Sequence, residues 1–96
     1  MYIKKGGISI PDYSDVAVGN VLYALRKEKK LSQDVLSGLS GIKFARYRRI
    51  ELGLSQPTFK MIWQLAEALQ IPLEELVDRI ILQAEIIAEI RRTLFL

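Results

Sequence analysis

The chain has 96 residues, of which 50% are hydrophobic, so it can form one small domain with a core of its own. It contains 0 Cys and 0 His, which excludes disulfides, thiolate or imidazole metal sites, and hydrolases that rely on a cysteine nucleophile or a histidine base. The formal net charge of +3 is mildly basic, and by itself it only hints at a polyanionic partner.

The positive charge is unevenly distributed along the chain. Residues 15–56 carry eight basic and four acidic residues, a net charge of +4, whereas residues 57–96 carry four basic and six acidic residues, a net charge of −2. Four of the cations lie between Lys43 and Arg49. Such a cluster is either a solvated helix face or a binding surface for a polyanion, and charge alone does not distinguish the two.

Neither export nor a membrane span is predicted. Met1–Gly7 contains two lysines, but the apolar stretch of a signal peptide does not follow them. The most apolar run, Ile80–Ile90, is interrupted by Gln83, Glu85 and Glu89. We therefore expect a cytoplasmic protein that uses no membrane, metal or cofactor.

Residues 1–14 are predicted to form an extended N-terminal arm. Apolar residues flank Lys4–Gly7 in the pattern of a short hairpin, which is only marginally stable in water by itself. The first helix is predicted to begin after Asp15, a good N-cap residue. It is predicted to end in the basic run Arg26–Lys30, where cations complement the helix dipole.

Two short helices follow, with a tight turn between them. Ser32 predicts the N-cap of the second helix, and Gly41 lies where a left-handed residue would end it. The third helix is predicted over residues 43–52, with Tyr47 and Ile50 facing the core.

A fourth helix is predicted to begin at its N-cap, Thr58, and a fifth to begin at Leu73 after Pro72. Trp63 is expected to be a core residue rather than a ligand site. The buried stripe predicted for the fourth helix consists of Phe59, Ile62, Trp63, Leu65, Ala66 and Leu69.

Residues 78–96 are predicted to form a separate C-terminal helix with an unusually wide apolar arc. A small domain has little core left to cover this arc, which favours burial against a second copy of the chain. The alternative is that the helix folds back on its own domain. The residues expected to form the dimer contact are Ile80, Ala84, Ile87, Ile90 and Leu94.

A short helix, a glycine turn and a basic second helix make the pattern of a helix-turn-helix. Five separated blocks extend this pattern in order: Leu25–Gln33, Leu39–Ile42, Arg49–Gly53, Pro57–Thr58 and Leu65–Ile71. On these blocks the chain resembles the Cro/cI-type helix-turn-helix repressor family, also called the xenobiotic-response-element family. The resemblance implies an all-α, five-helix DNA-binding domain over residues 15–77, to which this chain adds its arm and its apolar C-terminal helix.

The resemblance also implies the roles of individual residues, with the third helix entering the major groove. The base contacts it implies are Gln33, Phe44, Ala45, Arg48 and Arg49. The phosphate contacts it implies are Ser32, Lys43, Arg46, Ser55 and Gln56. Arg26 and Glu51 match a pair that forms a buried salt bridge in family members.

Several positions depart from the family pattern. Ser37 and Gly38 stand where alanine is usual, and Lys43 has no oxygen with which to cap the third helix. Phe44 is apolar at a leading base-reading position, where it either packs on a thymine methyl group or is instead a core or dimer residue. Tyr47 replaces an aliphatic core residue, so its hydroxyl needs a partner or a path to solvent.

We expect a sequence-specific DNA-binding regulator, a homodimer that represses by occluding a promoter at a two-fold operator. The alternative is an antitoxin-like regulator that binds DNA and also binds a protein partner through its terminal segments. An enzyme is not expected, because the sequence offers neither histidine nor cysteine and no convergent carboxylates.

Overall fold

The structure, a computed structural model, describes residues 13–94. Within these residues it is all-α, as the sequence predicts, with five helices and no strand. The helices are α1 (Tyr13–Glu28), α2 (Gln33–Ser40), α3 (Phe44–Glu51), α4 (Phe59–Leu69) and α5 (Leu73–Leu94). The predicted hairpin around Lys4–Gly7 lies outside the described residues, and α1 begins two residues before the predicted N-cap Asp15.

The helix ends follow the chemistry of their capping residues. Ser32 accepts a hydrogen bond from the Val35 N–H at 3.1 Å, and Thr58 accepts one from the Met61 N–H at 3.1 Å. Gly41 has φ +79°, a left-handed conformation that side chains with a Cβ rarely adopt. The predicted N-caps Ser32 and Thr58 and the turn between α2 and α3 are therefore confirmed, whereas the predicted N-cap Asp15 is wrong, because it lies inside the first turn of α1.

The core lies where α1 packs on α3 and α5 and where α2 packs on α3 and α4. At Gly19 the backbone of α1 approaches the C-terminal end of α3 so closely that a Cβ would overlap the carbonyl oxygen of Glu51. Tyr47 and Ile50 are fully buried, as predicted. The largest fully buried side chains are Tyr47, Leu22, Leu25, Leu36, Ile50, Leu65, Leu69 and Leu76.

The prediction for α4 is wrong at two positions. Phe59 is 63% exposed and Trp63 is 50% exposed, and their rings meet edge to face with centroids 5.9 Å apart. Phe59 lines a groove that α4 shares with Val77 and Ile81 of α5. The described bundle has no further helix to cover this side of α4, so helical spacing alone overstated the width of the buried face.

The fifth helix and the predicted C-terminal helix form one continuous helix of 22 residues. Residues 73–94 contain neither glycine nor proline, so nothing in the sequence interrupts the helix at Asp78. Leu76 is fully buried and Ile80 packs against the core, whereas Ile90 and Leu94 are exposed. No helix in residues 13–94 is long and apolar enough to cross a membrane.

Candidate nucleic-acid interface

The helix α3 has one buried face and one exposed face. Tyr47 and Ile50 point into the core, and the residues predicted to contact bases from this helix lie on the opposite side. Phe44 is 41% exposed, which rules out the alternative that it is a core residue. The exposed residues of the helix and its N-cap are Lys43, Phe44, Ala45, Arg46, Arg48 and Arg49. The resulting surface is strongly basic and accessible.

The buried face of α3 is held by a hydrogen-bond network around the carboxylate of Glu51. Arg26 donates to both oxygens, from Nε to Oε2 at 2.9 Å and from Nη2 to Oε1 at 2.8 Å. Gln33 donates from Nε2 to Oε1 at 2.8 Å, and the Tyr47 hydroxyl donates to Oε2 at 2.5 Å. Each carboxylate oxygen therefore accepts two hydrogen bonds, which satisfies a group that is costly to bury unpaired.

The network joins the three helices of the candidate interface. Arg26 comes from α1, Gln33 is the first residue of α2, and Tyr47 and Glu51 belong to α3. Arg26 also donates from Nη1 to the carbonyl oxygen of Leu31 at 3.0 Å, which fixes the connection between α1 and α2. The side chains of Arg26 and Glu51 are only 8% and 5% exposed, so the ion pair is buried. Because this ion pair joins α3 to α1, it restricts the rotation of α3 about its own axis.

The charges in the network stabilise one another. The hydrogen bond to Glu51 is the main cause that raises the pKa of Arg26. Burial by itself raises the pKa of Glu51, but the hydrogen bonds from Arg26, Tyr47 and Gln33 outweigh burial and hold that pKa below its usual range. Burial, with the bond to Glu51, raises the pKa of Tyr47 far above its ordinary value. The carboxylate is therefore charged and the phenol neutral at physiological pH.

This network supplies the partner that the Tyr47 hydroxyl requires. It also includes Gln33, which is predicted to contact a base. The amide nitrogen of Gln33 is bound to Glu51, so the predicted base contact also has a structural role. The Tyr47 bond joins residues four apart on one helix, a spacing that sequence can reveal. The Gln33 bond joins residues 18 apart, and no local signal points to it.

The turn between α2 and α3 is held by two buried serines. Ser37 donates from its hydroxyl to the carbonyl oxygen of Ile42 at 2.5 Å, and the Ile42 N–H donates to the Ser40 hydroxyl at 3.3 Å. The Ser40 hydroxyl in turn donates to the Ser37 carbonyl at 3.1 Å. The hydroxyl that departs from the family pattern at Ser37 thus satisfies a backbone group of the turn that positions α3.

The loop after α3 is attached to the arginines of that helix. Arg46 donates from Nη2 to the carbonyl oxygen of Gln56 at 3.2 Å, and Arg49 donates from Nη2 to that of Leu54 at 3.4 Å. The predicted phosphate contacts in this loop are thereby held next to α3. Ser55 is half-buried and Gln56 is exposed.

An open cleft lies at the junction of α1, α2 and α3. Lys27 and Lys30 line it, together with Ser32, Gln33 and Phe44. Lys27 lies in the last turn of α1 and Lys30 in the turn that follows it, and their positions suit contacts to an anion beside the N-terminus of α2. Sequence reasoning missed these lysines, because a charge run at a helix end is most often a solvated face.

The comparison with known proteins decides the family. Residues 22–76 match the helix-turn-helix family HTH_3, which is the Cro/cI type. The chain belongs to this family. HTH_3 proteins are DNA-binding transcription regulators rather than enzymes, and the motif formed by α2 and α3 lies inside the matched residues. No curated protein sequence matches the chain.

Several solved structures share the fold of this HTH_3 protein. The restriction-modification controller protein C.AhdI from Aeromonas hydrophila is 35% identical over 68% of this chain and 98% of its own, with a TM-score of 0.65. An HTH_3 family transcriptional regulator from Vibrio cholerae is 30% identical over 68% of this chain and 38% of its own, with a TM-score of 0.63. The clp gene regulator ClgR from Corynebacterium glutamicum covers 88% of this chain and 89% of its own, with a TM-score of 0.77; at 14% identity it shows the fold alone.

Proposed function

We propose that the protein is a sequence-specific transcription repressor that binds a two-fold operator as a homodimer, with α3 in the major groove. The observation that carries this proposal is the division of α3 into a buried face held by Glu51 and an exposed face that carries Phe44, Ala45, Arg48 and Arg49. A helix that is fixed in rotation presents the same side chains to every site, as sequence reading requires.

The residues around α3 are suited to phosphate contacts. Ser32 lies at the N-terminus of α2, where the helix dipole and free backbone N–H groups favour an anion. Lys43 and Arg46 place cations beside α3, and Ser55 and Gln56 follow in the loop that Arg46 holds. Such contacts position a protein on DNA without reading its sequence.

The dimer contact in this proposal lies on α4 and α5. Of the residues predicted for it, Ile90 and Leu94 are 53% and 69% exposed, Ala84 and Ile87 are half-buried, and Ile80 packs against its own core. The proposed surface is therefore displaced from the predicted one. The two helices carry further exposed apolar residues: Phe59, Trp63, Ile81, Leu82 and Ile86. Apolar surface of this extent on a small domain is typical of an interface.

DNA binding is tested by selecting duplexes from a random library and measuring affinity for the selected sequence as salt is varied. Arg49→Ala should weaken binding to the selected duplex, and the dependence on salt should become shallower as phosphate contacts are removed. The matched control is Arg79→Ala, which removes an equal charge from α5, where Arg79 pairs with Glu75. Equal loss in both variants, or a failure to select any sequence, would contradict the proposal.

Repression and dimerisation need separate measurements. Transcription in vitro from a promoter that contains the selected site should fall as protein is added. Light scattering should give a dimer for the whole chain and a monomer for Ile90→Lys, whereas Glu85→Lys, which changes an exposed residue of the same helix that is already charged, should remain a dimer. A monomeric wild-type chain would instead favour the antitoxin-like alternative, in which the apolar surface of α4 and α5 binds another protein.

A further inference from the structure

The three arginines of α3 have different partners. Arg46 and Arg49 each donate a hydrogen bond to a backbone carbonyl of the following loop. The side chain of Arg48 makes no hydrogen bond or ion pair within residues 13–94, and its guanidinium lies over the ring of Phe44, 5.9 Å from the ring centroid. Arg46 and Arg49 thus each use a side-chain N–H donor within the protein, whereas all the side-chain N–H donors of Arg48 are available.

The contact with Phe44 restricts Arg48 without using its donors. Phe44 is the first residue of α3 and lies one turn before Arg48 on the same exposed face. A guanidinium attracted to the face of an aromatic ring keeps its planar N–H groups free to bond elsewhere. Because a free arginine loses much side-chain entropy when it binds, a ring that already holds it lowers the cost of placing it in the groove.

We propose that Arg48 reads a guanine in each half-site and that Phe44 is the positioning residue that holds Arg48 for this contact. Guanine presents two acceptors, O6 and N7, in the major groove, and an arginine can bond both at once. Phe44 acts through its ring face on Arg48 rather than through a thymine methyl group. The inference rests on the proposed DNA-binding function and names the residue that sets part of its specificity.

The first measurement uses the duplex that the wild-type chain selects from a random library. That duplex should contain a fixed guanine in each half-site, and Arg48→Ala should remove the preference at that position only. Replacing this guanine by 7-deazaguanine, which lacks the N7 acceptor, should weaken wild-type binding on the order of tenfold. The same replacement should leave the affinity of Arg48→Ala unchanged. Arg49→Ala is the matched control and should keep the sensitivity to 7-deazaguanine.

The positioning role of Phe44 is tested by the ratio of the two affinities, for guanine and for 7-deazaguanine duplexes. Phe44→Leu keeps an apolar side chain but removes the ring, and it should reduce this ratio by roughly 2- to 5-fold. Phe44→Tyr keeps the ring and should restore the wild-type ratio. A purely structural loss would lower both affinities equally and leave the ratio unchanged, which would overturn the positioning role.

Two other results would also overturn the inference. One is that the selected duplex contains no fixed guanine, or that Arg48→Ala keeps the preference for it. The other is loss of the Phe44→Leu effect when thymine is replaced by uracil, which would assign Phe44 to a thymine methyl group. Both results leave the proposed function intact, because the chain still selects a sequence. A chain that selects no duplex at all would instead contradict the proposed function itself.

Discussion

Two regions of the molecule are stabilised in opposite ways. One is the junction of α1, α2 and α3, and the other is the outer half of α5, residues 84–94. At the junction, the carboxylate of Glu51 accepts hydrogen bonds from Arg26, Gln33 and Tyr47, and its ion pair with Arg26 is buried. In the outer half of α5, Ile90 and Leu94 are exposed, and an ion pair between Arg92 and Glu89 lies on the surface.

The difference lies in the directionality of the forces. Hydrogen bonds to a buried carboxylate have fixed lengths and angles, so the Glu51 network allows one rotation of α3. Apolar contact is non-directional and roughly proportional to area. In the proposed dimer, the outer half of α5 therefore favours association without determining a geometry inside the monomer. One region fixes how α3 is presented, and the other is suited to setting how two copies meet.

The largest expected effect comes from breaking the network at its centre. Glu51→Ala leaves the guanidinium of Arg26 buried without its partner, so the free energy of unfolding should fall by about 3–5 kcal/mol. Urea denaturation measures this change. Glu85→Ala, which alters an exposed carboxylate on α5, is the control and should change the free energy by less than about 0.5 kcal/mol. A similar small change for Glu51→Ala would show that the network is not a stabilising unit.

Removing one hydroxyl tests a single bond of the network. Tyr47→Phe keeps the buried ring but loses the donor to Oε2 of Glu51, and the free energy of unfolding should fall by about 1.5–3 kcal/mol. Tyr23→Phe removes a hydroxyl from an exposed tyrosine and should have almost no effect. Equal effects in urea denaturation would mean that the Tyr47 hydroxyl is not bonded as described.

The lowered pKa of Glu51 makes the junction sensitive to acid. The pKa is lower in the folded than in the unfolded chain, so the stabilisation is complete above the unfolded value of about 4.3 and is lost as pH falls towards the folded value. Wild-type stability should therefore decline more steeply than that of Glu51→Gln below about pH 4.3. Denaturation curves measured across this range check the prediction, and parallel slopes would contradict it.

A smaller effect of opposite sign is expected at Gly38, on the exposed side of α2. A Cβ there would meet nothing within 4 Å, and helical glycine costs about 1 kcal/mol relative to alanine. Gly38→Ala should therefore raise the free energy of unfolding by about 0.5–1 kcal/mol, measured by thermal or urea denaturation. Gly19→Ala is the contrasting variant and should destabilise, because its Cβ would overlap the backbone of Glu51.

The smallest effect on the monomer is expected in the outer half of α5. In dilute solution, where association is absent, Ile90→Ala should change the free energy of unfolding by less than about 0.5 kcal/mol. Leu76→Ala, on the same helix but fully buried, should lower it by about 2–5 kcal/mol. A large loss for Ile90→Ala at the same dilution would show that this half of α5 packs within its own chain.

The local features of the fold could be predicted because they depend on neighbours within a turn or two. Ser32 and Thr58 cap their helices through an N–H three residues ahead, and Gly41 adopts the left-handed conformation that its place after α2 requires. Tyr47 and Ile50 share one face of α3 by helical spacing alone. The α2–α3 motif, and the set of side chains exposed on α3, followed from these signals together with the family resemblance.

The features that sequence did not reveal depend on which helices meet in space. Phe59 and Trp63 have the spacing of core residues, yet no helix within residues 13–94 covers their side of α4, and both stay exposed. Glu51 bonds to Gln33, which is 18 residues away on another helix. The partners of Arg46 and Arg49 are likewise set by the path of the loop. Periodicity identifies which side chains can be buried together, but only the packing of helices decides which ones are covered and which polar groups they bring into reach.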